Sequence, residues 1–199
     1  EHHQQQQQQQ QRDIEKEQPQ QQKTEAEAEH HHHQAFVTLL INDEFAMGVE
    51  VMLYSLREHS KIRRAHVVLV APDVSELKRR SLKAVADHII EVEPIAMPAR
   101  QESSHVPMWE KVGYTSLRVW GLTQYKKVVY IDADALIIDC VDELFDRDVS
   151  FAAAPDIFPP DRFNAGVMVL TPSQALLDDM LSKVEELPSH DGGDTGEIN

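Results

Sequence analysis

The sequence predicts an α/β fold with a central, mainly parallel β-sheet. From residue 35 onward, short apolar runs typical of buried strands alternate with segments whose apolar residues have helical spacing. Strands that alternate with helices indicate βαβ units, and these units build parallel sheets. Residues 35–199 are of single-domain size and contain no internal repeat.

The predicted elements follow one another in a regular order. Strands are predicted at 35–41, 66–70, 88–92 and 128–131, and helices at 45–58, 74–86 and 114–122. Asn42 or Asp43 is the candidate N-cap of the first helix, and Asp73 or Ser75 that of the second. Further along, 167–170 is a short apolar run and 175–184 has the pattern of an amphipathic helix.

Residues 1–34 differ in composition from the rest of the chain. Glutamine runs occupy 4–11 and 20–22, and histidines occupy 30–33. No periodic apolar face is present, so this segment cannot bury enough surface to fold. We therefore predict a disordered Gln/His-rich tail at 1–34 and one folded domain at 35–199.

Composition excludes several classes of partner. The formal net charge of -15 argues against nucleic acid, because phosphate binding needs clustered Lys and Arg. The single cysteine, Cys140, forms no intrachain disulfide and fits a reducing compartment. No apolar stretch reaches the ~18 residues of a membrane span, so no membrane segment is predicted.

Two aspartates follow the fourth predicted strand, in the run V-V-Y-I-D-A-D at 128–134. In an extended backbone, side chains at i and i+2 point the same way, so Asp132 and Asp134 should present their carboxylates to one point. Ligands of open α/β sheets bind at the carboxyl ends of strands, and Mg²⁺ and Mn²⁺ prefer oxygen ligands. The pair predicts a metal–diphosphate site, with a solvated acidic turn as the alternative.

Two glycine-containing blocks are further candidates for binding. F-N-A-G at 163–166 offers the Asn164 amide as donor and acceptor, and Gly166 would let a backbone approach a ligand closely. D-G-G-D at 191–194 offers the carboxylates of Asp191 and Asp194 to sugar hydroxyls. The alternatives are a tight turn before a strand and a plain acidic loop.

Six blocks, taken together in order, resemble the glycogenin-like family 8 glycosyltransferases. They lie at 35–43, 122–136, 142–147, 153–156, 163–167 and 191–196. The resemblance implies a GT-A fold and a metal-dependent, retaining hexosyltransferase. Its donor would be a UDP-sugar, its cofactor Mn²⁺, and its acceptor a glycan, an inositol-type compound or a protein. The resemblance is compatible with a homodimer. It favours location in the cytoplasm, or in the Golgi lumen if an N-terminal membrane anchor precedes this sequence.

The resemblance also assigns roles to individual positions. Leu39, Asn42 and Phe45 would lie around the uracil, and Ala133 against the ribose. Asp132 and Asp134 match the D-x-D motif that holds the metal.

Other matching positions would surround the donor sugar. Asn164, Asp191 and Asp194 correspond to residues that hold the sugar near the reacting carbon. Asp194 is the expected catalytic carboxylate close to the anomeric centre, while Asp191 would hold hydroxyls.

Three departures from the family pattern affect this expectation. Ser116 replaces a common lysine, with Arg118 nearby, and Thr195 replaces a common glutamine. The third metal ligand of the family, a histidine, would follow Asn199, so the domain is expected to be C-terminally incomplete and the fragment inactive.

Two other functions use the same features. A non-catalytic nucleotide-sugar or glycan-binding module would fit the altered positions Ser116 and Thr195. A phosphatase of the haloacid dehalogenase type also has a strand followed by D-x-D. That motif usually continues with Thr or Val where this chain has Leu136, and it has no place for the F-N-A-G and D-G-G-D blocks.

Overall fold

The computed structural model describes residues 31, 33–96, 113–156 and 163–184. These ranges contain six strands: β1 Gln34–Leu40, β2 Ala65–Val70, β3 His88–Glu91, β4 Lys127–Ile131, β5 Phe151–Pro155 and β6 Phe163–Leu170. The α-helices within them are α1 Ala46–His59, α2 Glu76–Leu82 and α3 Gln174–Lys183. Short 3₁₀ helices lie at Asp43–Phe45, Thr115–Gly121 and Asp142–Asp146.

All six strands form one sheet, in the order β3-β2-β1-β4-β6-β5. The pairings β1–β2, β1–β4 and β2–β3 are parallel, whereas β6 runs antiparallel to both β4 and β5. The predicted α/β class and mainly parallel sheet are therefore confirmed. The sequence analysis missed β5, whose F-A-A-A-P sequence is poor in the β-branched residues that mark strands.

Several predicted element bounds differ from those observed. The predicted helix 74–86 spans only Glu76–Leu82. It begins there because the Ser75 side chain accepts a hydrogen bond from the Lys78 amide and caps it, and after Leu82 the bonds become i→i+3. The predicted helix 114–122 is a 3₁₀ helix, closed by i→i+3 bonds such as that from the Leu117 amide to the Tyr114 carbonyl (3.1 Å).

The predicted tail ends one residue too late. Gln34 opens β1 and is buried, since it pairs with Lys127 of β4 and accepts a hydrogen bond from Arg64. The rest of the predicted tail, apart from residues 31 and 33, lies outside the described residues.

Side chains of the central strands alternate between two apolar layers. In β1, Ala35 and Val37 join one layer, while Phe36 and Leu40 join the other. The first layer is covered by the 3₁₀ helix Thr115–Gly121 and by α3, and the second by α1 and α2. The sheet is thus buried on both faces, as the apolar character of its central strands requires.

The chain changes direction across the sheet at β1. It runs from β1 outward through β2 to β3, then returns to place β4 on the opposite side of β1. A crevice opens at such a point, at the carboxyl ends of the two diverging strands, and it is where open α/β sheets bind ligands. In the part of the chain that the structure describes, every helix is too short or too polar to cross a lipid bilayer.

Candidate functional site

A cavity lies at the carboxyl ends of β1 and β4. Its wall combines apolar side chains with two carboxylates; the lining residues are Leu39, Ile41, Phe45, Gly113, Ser116, Tyr130, Asp132, Ala133, Asp134 and Ala165. The topology brings these residues together from segments far apart in sequence. The cavity therefore occupies the position that the sheet order favours for a ligand.

The two aspartates reach the cavity through a turn. β4 ends at Ile131, the Asp132 amide donates to the Gly166 carbonyl (2.9 Å), and the Ala135 amide donates to the Asp132 carbonyl (3.2 Å). The expectation of an extended backbone at 132–134 is therefore wrong, because the chain turns after the last bond to β6 and the Ala135 amide bonds back to Asp132. Both carboxylates nevertheless line the same cavity.

Asp132 occupies an environment that disfavours its charged form. Burial raises the pKa of the Asp132 carboxyl. A hydrogen bond donated by the Tyr130 hydroxyl (2.8 Å) lowers this pKa, whereas the negative charge of the nearby Asp134 raises it further. Asp134 is exposed. A cation at this point would offset the cost of placing two carboxylates close together.

Two glycines allow the backbone to pack closely around the aspartates. A β carbon on Gly48 of α1 would lie 2.6 Å from the Ala133 carbonyl oxygen. A β carbon on Gly166 would lie 2.8 Å from Oδ1 of Asn164 and 3.1 Å from Oδ2 of Asp132. Any side chain at either position would displace a part of the site.

Five of the ten predicted site residues line the cavity. Leu39, Phe45 and Ala133 line the cavity together with Asp132 and Asp134. Among the described residues, the two aspartates are the only carboxylates that line the cavity, and no group of three or more potential ligands could hold a metal.

Other predicted site residues lie beside the cavity or outside the described residues. Asn42 caps the first 3₁₀ turn by accepting a hydrogen bond from the Glu44 amide (3.0 Å), which matches the alternative weighed for it. Asn164 is exposed and accepts a hydrogen bond from the Gly166 amide (2.8 Å). Asp191 and Asp194 lie outside the described residues, as does Thr195.

The sequence analysis missed several contributors to this site, among them Ile41, Tyr130, Ala165 and Gly48. Tyr130 lies two residues before Asp132 on a strand, and the period-two spacing of strand side chains could have indicated it. Ala165 and Gly48 gave no sequence signal, because only the packing of α1 and β6 brings them near the aspartates.

Ser116 and Arg118 occupy different surroundings. Ser116 is buried in the cavity wall, whereas the Arg118 guanidinium donates to the Glu93 carbonyl (3.0 Å). Arg118 is not among the residues that line the cavity, so it does not supply a charge in place of the lysine that the family pattern led us to expect at position 116.

A comparison with protein families decides the class of the chain. The model of Glycosyl transferase family 8 matches residues 36–195. The chain belongs to this family. The resemblance drawn from six ordered sequence blocks is therefore confirmed.

Curated relatives of this family 8 chain include proteins whose names state different activities. It is 42% identical over 170 residues to human glycogenin-1, a match that covers 83% of this chain and 47% of that protein. It is 39% identical over 165 residues to inositol phosphorylceramide glucuronosyltransferase 1 of Arabidopsis thaliana, covering 83% of this chain and 29% of that protein. The chain thus spans half or less of the length of these relatives.

Solved structures establish the fold. The galactosyltransferase LgtC, in complex with donor and acceptor sugar analogs, matches with a TM-score of 0.63 at 19% identity, covering 83% of this chain and 69% of that one. At this identity the match carries the architecture alone. The GT-A fold expected for this family 8 chain is confirmed.

Proposed function

We propose that this family 8 chain forms the donor-binding part of a hexosyltransferase. The enzyme would transfer a sugar from a UDP-sugar to an acceptor hydroxyl with retention of the anomeric configuration. The observation that carries the proposal is the cavity at the carboxyl ends of β1 and β4, in which an apolar wall meets the Asp132 and Asp134 carboxylates. A nucleoside diphosphate has two corresponding parts. Its flat base would stack on the apolar wall, and its charged diphosphate would bind through a cation held by the carboxylates.

The apolar wall suits the uracil end of the donor. Leu39 and Ile41 at the end of β1 and the half-exposed Phe45 ring offer a surface on which a base can stack. Asn42 follows Ile41 in the chain and caps the next 3₁₀ turn, and we assign Ala133 of the cavity lining to the ribose from the family pattern. These contacts would fix the base while leaving the diphosphate to extend toward 132–134.

The carboxylates suit a divalent cation, for which we propose Mn²⁺. None of the described lining residues is a lysine or arginine, so the protein offers no side-chain cation there to balance a diphosphate. Mg²⁺-type sites commonly use one or two carboxylates and complete their coordination with substrate phosphates and water. When bound, the ion would supply Lewis-acid stabilisation of the leaving diphosphate.

We assign the donor sugar to the F-N-A-G block beside the aspartates and, from the family pattern alone, to the D-G-G-D block. Gly166 touches the Asp132 side of the site, and Asn164 is held by its hydrogen bond to the Gly166 amide. The family pattern places Asp191 on sugar hydroxyls and Asp194 near the anomeric carbon. The acceptor class stays open among glycan, inositol-type and protein hydroxyls, since relatives differ in the acceptors that their names state.

A second candidate is a nucleotide-sugar-binding module without catalysis. The observation that favours it is Ser116, which lines the cavity where a lysine was expected to contact phosphate or sugar. The two candidates share UDP binding and differ in turnover. Release of UDP from UDP-glucose or UDP-galactose, with Mn²⁺ and a panel of acceptors, would separate them.

The first test of the proposal is calorimetry of UDP binding with and without Mn²⁺. We expect measurable affinity only with the ion, and we expect Asp134→Asn to lower the affinity to the value measured without it. Asp148→Asn, an exposed aspartate outside the cavity lining, is the matched control and should behave like the wild type. Equal UDP affinity in the presence and absence of Mn²⁺ would refute the metal site.

A further inference from the structure

The Asp132 carboxylate is held on one side by a side chain that is itself buried. Tyr130 is 3% exposed, and its hydroxyl donates to Oδ1 of Asp132 at 2.8 Å. Both residues line the cavity, one at the end of β4 and the other directly after it. The ring of Tyr130 is fixed by the apolar layer that it shares with Val37, Val128 and Met168.

The other oxygen of the same carboxylate, Oδ2, lies beside Gly166, which has no side chain. A β carbon on Gly166 would lie 3.1 Å from Oδ2 of Asp132, so the absence of a side chain there keeps that oxygen uncrowded. The Asp132 amide is fixed as well, by its hydrogen bond to the Gly166 carbonyl (2.9 Å). The backbone and one oxygen of Asp132 are therefore fixed by hydrogen bonds, and no side chain at position 166 crowds the second oxygen.

We infer that Tyr130 is a positioning residue for the cation site, whose hydroxyl holds the Asp132 carboxylate in the orientation that the ion requires; this rests on the proposed function. A carboxylate on a turn has several rotamers, and a single directed hydrogen bond selects one of them. Outer-shell partners of this kind orient metal ligands, and their removal typically costs about 10–100-fold in metal affinity.

The test removes only the hydroxyl. Tyr130→Phe keeps the buried ring, and we expect the apparent Mn²⁺ affinity, titrated at one fixed UDP concentration for both proteins, to fall about 10-fold or more, within the range of such outer-shell changes. Titration followed by electron paramagnetic resonance of Mn²⁺ gives the affinity, and the spectrum of the bound ion reports its coordination. Binding of uridine, which has no phosphate, should stay unchanged when followed by ligand-observed NMR.

Matched variants separate this role from a structural one. Tyr125→Phe removes a hydroxyl from another buried tyrosine, located before β4 at the opposite end of the strand, and should leave the Mn²⁺ affinity unchanged. The methyl group introduced by Gly166→Ala would crowd the other oxygen, Oδ2, of the same carboxylate and should also weaken Mn²⁺ binding. Melting temperatures of all variants would confirm that each is folded.

Three outcomes would overturn the inference, and they differ from one another. If the wild type binds UDP without regard to Mn²⁺, the proposed metal site fails and the inference fails with it. If wild-type binding depends on Mn²⁺ but Tyr130→Phe matches it, the positioning role alone is refuted. If Tyr130→Phe loses uridine binding to the same extent as Mn²⁺ binding, the hydroxyl serves the nucleotide or the cavity as a whole.

Discussion

His66 is a buried histidine whose surroundings favour the neutral imidazole. It lies in β2 at 4% exposure, with its ring edge-on to Phe36 (centroids 6.1 Å apart). Among the described residues, its Nδ1 atom has no hydrogen-bond partner. Burial lowers the pKa of His66, and the opposing attraction of Asp87 does not restore it.

This environment predicts that stability falls as the solution becomes mildly acidic. The unfolded chain takes up a proton at His66 near pH 6.5, whereas the folded chain binds it only at lower pH, so protonation favours unfolding. The free energy of unfolding should therefore decrease as pH drops below about 6.5, the ordinary pKa of histidine, and should stay level above it. Urea titrations at intervals between about pH 8 and pH 5.5 would measure this dependence, above the range where most carboxylates titrate.

Replacing His66 by a residue that does not titrate should remove this part of the pH dependence. His66→Gln is the variant, and His88→Gln, at an exposed position at the start of β3, is its control. We expect the slope below about pH 6.5 to flatten in the first and to persist in the second. An unchanged slope in His66→Gln would assign the effect to other groups.

At the scale of elements, α1 serves as a support for the turn that carries the aspartates. Alanine is favoured over glycine in a helix interior by about 1 kcal/mol, so Gly48 within α1 needs a reason. The reason is the Ala133 carbonyl, which lies 2.6 Å from the position that a β carbon would take. The helix can approach 132–134 this closely only without a side chain.

Gly48→Ala should therefore act on the site more than on the fold. We expect overpacking to cost about 1–3 kcal/mol, partly offset by the better helix propensity of alanine. Since either α1 or the turn must move, Mn²⁺-dependent UDP affinity should fall in a protein that still unfolds cooperatively. Calorimetry and denaturant unfolding on the same samples would compare the two effects.

Gly121→Ala is the matched control for this variant. A β carbon on Gly121 would lie 3.1 Å from Cδ2 of Leu177, which is the end of a flexible side chain. Neither Gly121 nor Leu177 lines the cavity. It should alter stability slightly and leave UDP affinity unchanged. If Gly48→Ala binds UDP as tightly as the control does, the close approach of α1 has no role at the site.

The elements that the sequence predicted well were those with a strong apolar pattern. β4 reads as an apolar run ending in D-x-D, and the structure places its carboxyl end at the cavity. The alternation rule failed directly after β4, because the chain turns there and the Ala135 amide donates to the Asp132 carbonyl. A pattern along one strand carries no information about where the pairing with the next strand stops.

At the scale of the whole molecule, the cavity depends on contacts that local patterns do not contain. Leu39 and Ala165 are separated by most of the domain, yet both line the cavity because β1 and β6 flank β4. Ordered sequence blocks indicated which residues belong together, whereas the role of Gly48 emerged only from three-dimensional packing. The roles of Asp191 and Asp194 stay predictions from the family pattern.

The border between the tail and the domain can be located by two deletions. Gln34 is buried at the start of β1, its side-chain oxygen accepts from Nε of Arg64 (2.7 Å), and the His33 carbonyl accepts from the Lys126 amide (2.7 Å). Arg64 is itself buried and pairs with Asp142. Deleting 1–34 would remove the partner of a buried donor and the first residue of a central strand, while deleting 1–30 would spare both.

We therefore expect the two shortened chains to differ in thermal stability. Loss of 1–30 should leave the melting temperature within error, because that glutamine-rich segment has no apolar pattern with which to pack. Loss of 1–34 leaves the buried Arg64 donor unsatisfied, at a cost of about 1–3 kcal/mol. Each kcal/mol lowers the melting temperature by about 2–4 °C in a domain of this size. Calorimetric melting of both chains beside the intact one measures the difference.

A drop of several degrees after removal of 1–30 would show that the segment packs on the domain. Equal stability after removal of 1–34 would show that Gln34 contributes nothing to the stability of the domain.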